Sequence, residues 1–98
     1  MDISKDNEGV IVFKGNLVAS TIENTYSALE ALLEESPQDI AIDLSEVDEI
    51  DIAGLQLIAS LKKTFESEGT FHIRSLNTIV KERMAISGFE LTLKEAMP

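Results

Sequence analysis

The stretch IDLSEVDEIDIAGLQLIASLKK, residues 42–63, changes its hydrophobic period part-way along. Before Ser45, apolar and polar residues alternate, which predicts a strand over Ile40–Leu44. After Asp51, apolar residues recur every three or four positions, which predicts an amphipathic helix that stops near Gly69. The stripe of that helix is Leu55, Ile58, Leu61 and Phe65. A strand that leads directly into a helix indicates an α/β fold.

Upstream, the sequence predicts a hairpin and then a helix. The apolar run Val10–Phe13 is typical of a strand buried on both faces, and a shorter strand around Ile3 precedes it across the turn-forming residues 6–9. The period becomes helical from Ser20, whose spacing to Glu23 is that of a capping box. The helical stripe is Ile22, Tyr26, Leu29, Leu32 and Leu33, and Pro37 is expected to end the helix.

Downstream, the pattern predicts another strand, a helix and a final strand. Phe71 and Ile73 alternate as in a strand, and a helix is expected from the cap residue Asn77 to the terminator Gly88. Leu91 and Leu93 predict a last short strand. The expected order is therefore β-β-α-β-α-β-α-β in one domain over residues 1–98, an α/β fold with helices packed on a sheet.

Composition and charge exclude several classes of partner. The formal net charge is −10, whereas nucleic acids and anionic membranes are bound through lysine and arginine. The chain has no cysteine, which excludes disulfides and thiolate metal sites and suits a reducing compartment. Neither a signal peptide nor a run of roughly 20 apolar residues occurs. We therefore expect a cytoplasmic protein with no nucleic-acid partner and no membrane insertion.

The sequence gives little support for a catalytic function. The single histidine, His72, falls on the polar side of a predicted strand, and Gly54 and Gly69 stand alone outside any phosphate-binding loop. One alternative is a metal-dependent hydrolase that binds a hard cation such as magnesium or calcium through the carboxylates of an acidic run, but the spacing of that run does not match a calcium loop. The run consists of Asp43, Glu46, Asp48, Glu49 and Asp51. The segment Ser45–Asp51 is better explained as a solvated loop in which Asp51 caps the second helix. We predict no catalytic residues, no metal site and no cofactor.

The start of the second helix is the most informative local feature. Backbone N–H groups in a first helical turn have no partner within the helix. Ile52 is unusual there, because an apolar β-branched residue at a helix start either packs back onto the helix or faces a binding partner. The sequence leaves these two alternatives open.

The same stretch resembles the signature of the STAS family, named for sulphate transporters and anti-sigma factor antagonists. In that signature a strand ends in Asp-Leu-Ser and a short link leads to Asp-Ser-Ser-Gly-Leu or Asp-Thr-Ala-Gly-Leu at a helix start. The matching positions here are Asp43, Leu44, Ser45, Asp51, Gly54 and Leu55, with Gly15, Leu17 and the helix from Ser20 matching in spacing. The resemblance implies a mixed sheet with helices mainly on one face and a non-enzymatic role in binding another protein.

The resemblance also identifies the position that a phosphate-controlled member would use. An anti-sigma kinase phosphorylates the second serine of the family string, and Ala53 occupies that position here, preceded by Ile52. Alanine has no hydroxyl group, so a switch at this site is not expected. The variant resembles members found beside chemotaxis genes and members that pair with lipid-transport ATPases. Partner switching through another hydroxyl, such as that of Ser45 or Ser60, is the alternative.

These observations define a predicted partner-binding surface and its possible partners. We predict that the surface is formed by the loop and helix start Asp51, Ile52, Ala53, Gly54, Leu55 and Gln56, together with Ser20, Thr21 and Asn24. The partner is expected to be an anti-sigma factor-like kinase, a chemotaxis component or a transporter ATPase.

Overall fold

The computed structural model describes residues 1–33, 39–67 and 69–97. Its strands are β1 (Asp2–Lys5), β2 (Ile11–Leu17), β3 (Asp39–Ile50) and β4 (Thr70–Leu76). Its helices are α1 (Ile22–Leu32), α2 (Ile52–Glu66), α3 (Thr78–Ser87) and α4 (Phe89–Leu93), with short 3-10 helices at Ala19–Thr21 and Lys94–Ala96. The predicted end of α1 at Pro37 lies outside the described residues.

The strands form one mixed sheet in the order β1-β2-β3-β4. β1 and β2 are the predicted antiparallel hairpin, whereas β2–β3 and β3–β4 are parallel pairs. The carboxylate of Asp6 closes the hairpin by accepting hydrogen bonds from the backbone N–H groups of Glu8 (2.8 Å) and Val10 (2.9 Å). Gly9 provides the positive φ, 84°, that this turn requires.

One face of the sheet carries the hydrophobic core. Its strand residues are Ile11, Phe13, Ile40, Ile42, Leu44, Phe71 and Ile73, which pack with helix residues that include Leu29, Leu55, Ile58, Val80 and Met84. Ser4, Lys14 and His72 are exposed on the opposite face. The predicted mixed sheet with helices mainly on one face is thus confirmed, as is the exposure of His72. The prediction that Val10–Phe13 is buried on both faces is wrong at Val12, which is only half-buried on the open face.

The acidic segment after Leu44 is part of the sheet, so the predicted loop at Ser45–Asp51 is wrong. β3 continues to Ile50 because Val47 and Ile50 are buried and pair with the second half of β2. Gly15 pairs with Val47 and Asn16 with Glu49, so the register shifts by one residue at this point. Glu46, Asp48 and Glu49 remain exposed along this irregular part of the strand.

The C-terminal segment is helical, which contradicts the predicted strand at Leu91–Leu93. α4 covers Phe89–Leu93, and a 3-10 helix follows. Leu93 and Ala96 are buried and Phe89 is half-buried. Their spacing of four and three residues is that of a helix. The element order is therefore β-β-α-β-α-β-α-α.

Both predicted ends of α3 are confirmed. The side chain of Asn77 accepts a hydrogen bond from the Val80 N–H (3.0 Å), and Gly88 adopts the left-handed conformation with φ 83°. Asn77 also donates through Nδ2 to the carbonyl oxygens of Val47 (2.7 Å) and Ser45 (3.2 Å). This one side chain therefore fixes the start of α3 against the acidic half of β3.

Candidate functional site

Asp51 joins two segments that are distant in sequence at the start of α2. One carboxylate oxygen accepts a hydrogen bond from the Gly54 N–H (3.1 Å), which confirms the predicted helix cap. The other accepts from the Ala19 N–H (2.9 Å) in the 3-10 helix after β2. The Asp51 N–H also donates to the Leu17 carbonyl oxygen (3.3 Å). The first turn of α2 is thereby tied to the β2–α1 connection.

The same hydrogen bonds determine the acidity of Asp51. Partial burial disfavours the charged carboxylate, but backbone N–H groups, with that of Ala19 first and that of Gly54 next, outweigh it and lower the pKa below the ordinary value of 3.8. Asp51 is therefore negatively charged at neutral pH. Both of its oxygens are engaged with backbone, so its main role is to position the helix start.

Gly54 allows α2 to approach the end of β2 closely. A β-carbon at this position would lie 2.2 Å from the Leu17 carbonyl oxygen and 2.9 Å from side-chain atoms of Leu17 and Ile50. No larger residue can occupy the position without moving the helix start. The glycine of the motif is therefore required by packing between backbone segments.

The predicted binding residues divide into exposed and buried groups. Ile52 is 50 % exposed, so it does not pack away onto its own helix. Gln56, Ser20 and Asn24 are also exposed, and Asp51, Ala53 and Thr21 are partly exposed. Gly54 and Leu55 are buried, and they hold the helix start in place while their neighbours face solvent.

Ser20 and Thr21 belong to the 3-10 helix that Asp51 ties to the start of α2, but Ser20 does not cap α1 as expected. Ser20 is the middle residue of the 3-10 helix Ala19–Thr21, so the predicted capping box of Ser20 with Glu23 is wrong. The Thr21 hydroxyl lies 2.9 Å from the Asn16 carbonyl oxygen and 3.0 Å from that of Val18. Thr21 therefore stabilises the connection, and Ser20 presents its exposed side chain beside it.

The predicted stripe of α1 is wrong at Tyr26. Its side chain is 55 % exposed, whereas Thr25 is 2 % exposed and faces the core. The Thr25 hydroxyl donates to the Thr21 carbonyl oxygen (2.9 Å). Threonine can occupy a core position because its one polar group is satisfied within the helix.

Two exposed apolar residues of α3, Ile79 and Ile86, were not among the predicted binding residues. They are 43 % and 79 % exposed. The signal was present, because Val80 and Met84 already form the buried stripe and the two isoleucines fall outside it at a spacing of seven residues. Ile52 and Ile86 line the same cavity.

Among the described residues, no three histidine, aspartate or glutamate side chains converge in a way that could hold a metal ion. The carboxylate of Asp43 instead accepts hydrogen bonds from the backbone N–H (2.8 Å) and hydroxyl (2.6 Å) of Ser45. No helix in the described part of the chain has the length and apolar character to cross a membrane.

The family assignment rests on a match over nearly the whole chain. The family model described as "Mlab, STAS domain" matches residues 2–94. The chain belongs to this STAS-domain family. The resemblance carried by residues 42–63 is therefore confirmed. No curated protein sequence matches this STAS chain significantly.

Solved structures support the same fold. The crystal structure of an anti-sigma factor antagonist from Mycobacterium paratuberculosis is similar with a TM-score of 0.75 and 21 % sequence identity, covering 92 % of this STAS chain and 78 % of that chain. The anti-sigma factor antagonist SpoIIAA in its unphosphorylated form is similar with a TM-score of 0.70 and 15 % identity, covering 99 % of this chain and 84 % of that chain. This STAS chain thus shares the fold of anti-sigma factor antagonists.

Proposed function

We propose that this STAS domain is a non-enzymatic adaptor that binds another protein through the start of α2 and the adjoining 3-10 helix. The observation that carries the proposal is the position of Ile52. Its side chain is half-exposed at a junction where the hydrogen bonds of Asp51 and the close packing of Gly54 fix the backbone. An apolar side chain on a rigid, exposed helix start is suited to be the centre of a protein contact.

The surroundings of Ile52 supply a polar rim. Gln56 follows one turn later on α2, and Ser20 lies on the neighbouring segment; both are exposed. Glu49 is exposed at the end of β3 and lines the same cavity as Ile52. A small apolar centre within a polar border is the usual composition of a transient protein interface.

Ala53 supports a complex that is not controlled by phosphate at the family position. Ala53 is the second residue of α2 and is partly exposed, so a modifying enzyme could reach the position. The side chain has no hydroxyl group to accept phosphate. We therefore favour a standing adaptor, of the kind that serves a chemotaxis component or a transporter ATPase, over a domain switched at this site by an anti-sigma kinase.

The variant Ile52→Asp tests the binding surface. It places a charge in the proposed contact, which should weaken the complex by tenfold or more, while an exposed position should leave folding nearly unchanged. Tyr26→Asp is the matched control, because Tyr26 is an apolar residue of similar exposure on α1. The measurement is quantitative mass spectrometry of proteins retained from native extract by each immobilised variant.

Proteins held by the wild type and by Tyr26→Asp but lost with Ile52→Asp would identify the partner. Equal retention by a folded Ile52→Asp variant would remove the α2 start from the interface. Phosphate on the wild-type chain at Ser45, Ser60 or another hydroxyl, together with loss of the partner, would instead favour partner switching with an anti-sigma kinase. Ser60 is exposed on α2, one turn after Gln56.

A further inference from the structure

A groove runs between α3 and the junction of β3 with α2. It consists of two adjoining cavities of about 480 and 370 Å³ that share Glu49, Arg83 and Ile86 as lining residues. Ile52 lies at one end and Ile79 at the other. We call this feature the α3 groove; its exposed apolar residues are Ile52, Ile79 and Ile86, and its exposed charged residues are Asp48, Glu49, Glu82 and Arg83.

The apolar residues of the α3 groove are arranged along a helix that has already buried its other face. Val80 and Met84 are fully buried, so the core does not require Ile79 or Ile86. These two residues are seven positions apart, which in a helix corresponds to about two turns or roughly 10 Å. A partner helix would present apolar side chains over the same distance at positions i, i+3 or i+4, and i+7.

The walls of the α3 groove are held in place. Asn77 links the start of α3 to the Val47 and Ser45 carbonyl oxygens of β3. Asp51 links the start of α2 to Ala19. Because the groove is preformed, little conformational entropy is lost when a partner binds in it, which favours its use as a binding surface.

The charge of the groove specifies the chemistry of its occupant. Asp48, Glu49 and Glu82 are exposed along it, and Arg83 is the one basic side chain among its described lining residues. A second copy of this chain, with net charge −10, would bring acidic surface against acidic surface, and an anionic lipid surface would also be repelled. Lysine and arginine beside an apolar stripe would complement both the isoleucines and the acidic side chains.

We propose that the α3 groove binds an amphipathic α-helix of the partner protein, with an apolar stripe flanked by lysine or arginine. This inference rests on the proposed function, because Ile52 belongs to both surfaces. The apolar stripe contacts Ile52, Ile86 and Ile79, and the basic flanks pair with the exposed carboxylates of Glu49 and Glu82. The partner is therefore a protein that presents a positively charged amphipathic helix.

Two synthetic 18-residue peptides test the chemistry directly, one of leucine and lysine and one of leucine and glutamate in the same helical pattern. Isoleucine methyl groups of the labelled protein are followed by NMR during titration. The lysine peptide should shift the Ile52, Ile79 and Ile86 signals in a saturable manner, and the glutamate peptide should not. Binding should weaken as salt is raised, since exposed charges are screened.

A pair of charge-reversed variants separates the groove from general attraction to an acidic protein. Glu49→Lys with Glu82→Lys should weaken the lysine peptide about tenfold or more, because like charges then face each other. Glu30→Lys with Glu95→Lys is the control, since both residues are exposed outside the α3 groove and the net charge changes equally. Equal weakening by both pairs, or methyl shifts elsewhere on the protein, would overturn the proposal.

Ile86→Asp distinguishes failure of this inference from failure of the proposed function. The side chain is 79 % exposed, so the variant should fold. We expect a partner captured from native extract by the wild type to be lost with both Ile86→Asp and Ile52→Asp. Loss with Ile52→Asp alone would refute the α3 groove and leave the adaptor function intact, whereas retention by both folded variants would refute both.

Discussion

The substitution Gly54→Ala tests how closely the start of α2 approaches β2. The added β-carbon would lie 2.2 Å from the Leu17 carbonyl oxygen, so the two backbone segments must separate by about 1 Å to restore normal contact. That oxygen also accepts the hydrogen bond from the Asp51 N–H at 3.3 Å. The bond between the Asp51 carboxylate and the Ala19 N–H, 2.9 Å long, joins the same two segments. Separation therefore weakens both hydrogen bonds.

The expected cost of Gly54→Ala follows from these contacts. Overpacking costs about 1–3 kcal/mol, and each weakened hydrogen bond adds up to about 1 kcal/mol. Alanine offsets about 1 kcal/mol of this through its higher helix propensity. These contributions sum to a net loss of at most about 4 kcal/mol in the free energy of unfolding, and we expect a loss near the middle of that range, about 2 kcal/mol. For a domain of this size, a loss of about 2 kcal/mol should lower the melting temperature by about 8–16 °C.

Urea unfolding of Gly54→Ala and the wild type, followed by circular dichroism, measures the difference. Ala53→Gly is the control, because it changes the neighbouring residue of the same helical turn and should cost no more than about 1 kcal/mol. A Gly54→Ala protein as stable as the wild type would refute the close approach of the two backbone segments. Greater stability would show that helix propensity dominates at this position.

Three further predictions concern the helix start and the C-terminal segment. Because the folded-state pKa of Asp51 is lowered, its contribution to stability is present above about pH 4 and lost as the pH falls further; Asp51→Asn should therefore lose less stability than the wild type between about pH 5 and pH 2, and parallel curves from urea unfolding would contradict this. Leu93→Ala should cost about 2–5 kcal/mol because Leu93 is fully buried; a loss below about 1 kcal/mol would remove α4 from the core. The free energy of unfolding of Ala53→Ser should lie within about 0.5 kcal/mol of that of the wild type. After incubation with an anti-sigma kinase, mass spectrometry should find no phosphate on the wild-type chain. Phosphate on that chain, with loss of partner binding, would contradict a standing adaptor.

The helices were predictable from the sequence where the hydrophobic period and the cap residues indicate the same helix. α2 combines a regular apolar stripe with the N-cap Asp51, and α3 combines Asn77 with Gly88; all three terminal residues act as expected. Short-range chemistry of this kind is encoded locally, so one sequence suffices to reveal it. The family motif then added the mixed character of the sheet, which local patterns do not specify.

The errors arose where tertiary contacts determine the local conformation. Val47 and Ile50 extend β3 because the second half of β2 lies beside them, and an acidic sequence does not reveal that neighbour. Leu93 alternates with Leu91 in sequence, yet its actual partners on the same face are Phe89 and Ala96. A short apolar pattern can satisfy both a strand and a helix, and packing decides between them.

The candidate site also combines features that the local sequence reveals with features that depend on tertiary contacts. Ile52 was conspicuous in the sequence because it is apolar at a helix start, but its exposure was a matter of three-dimensional packing. The second bond of Asp51, to Ala19, joins residues 32 positions apart and has no local signature. The spacing of Ile79 and Ile86 can be read from the sequence. Their connection to Ile52 depends on the structure, in which Ile86 and Ile52 line one cavity.

The double hydrogen bond of Asp51 has a consequence for the thermodynamics of association. It keeps the 3-10 helix Ala19–Thr21 and the first turn of α2 at a set separation before any partner arrives. A partner that contacts both segments therefore does not have to freeze their relative motion, and less conformational entropy is lost when the complex forms. Two hydrogen bonds to one carboxylate can in this way let a small interface reach useful affinity without a large contact area.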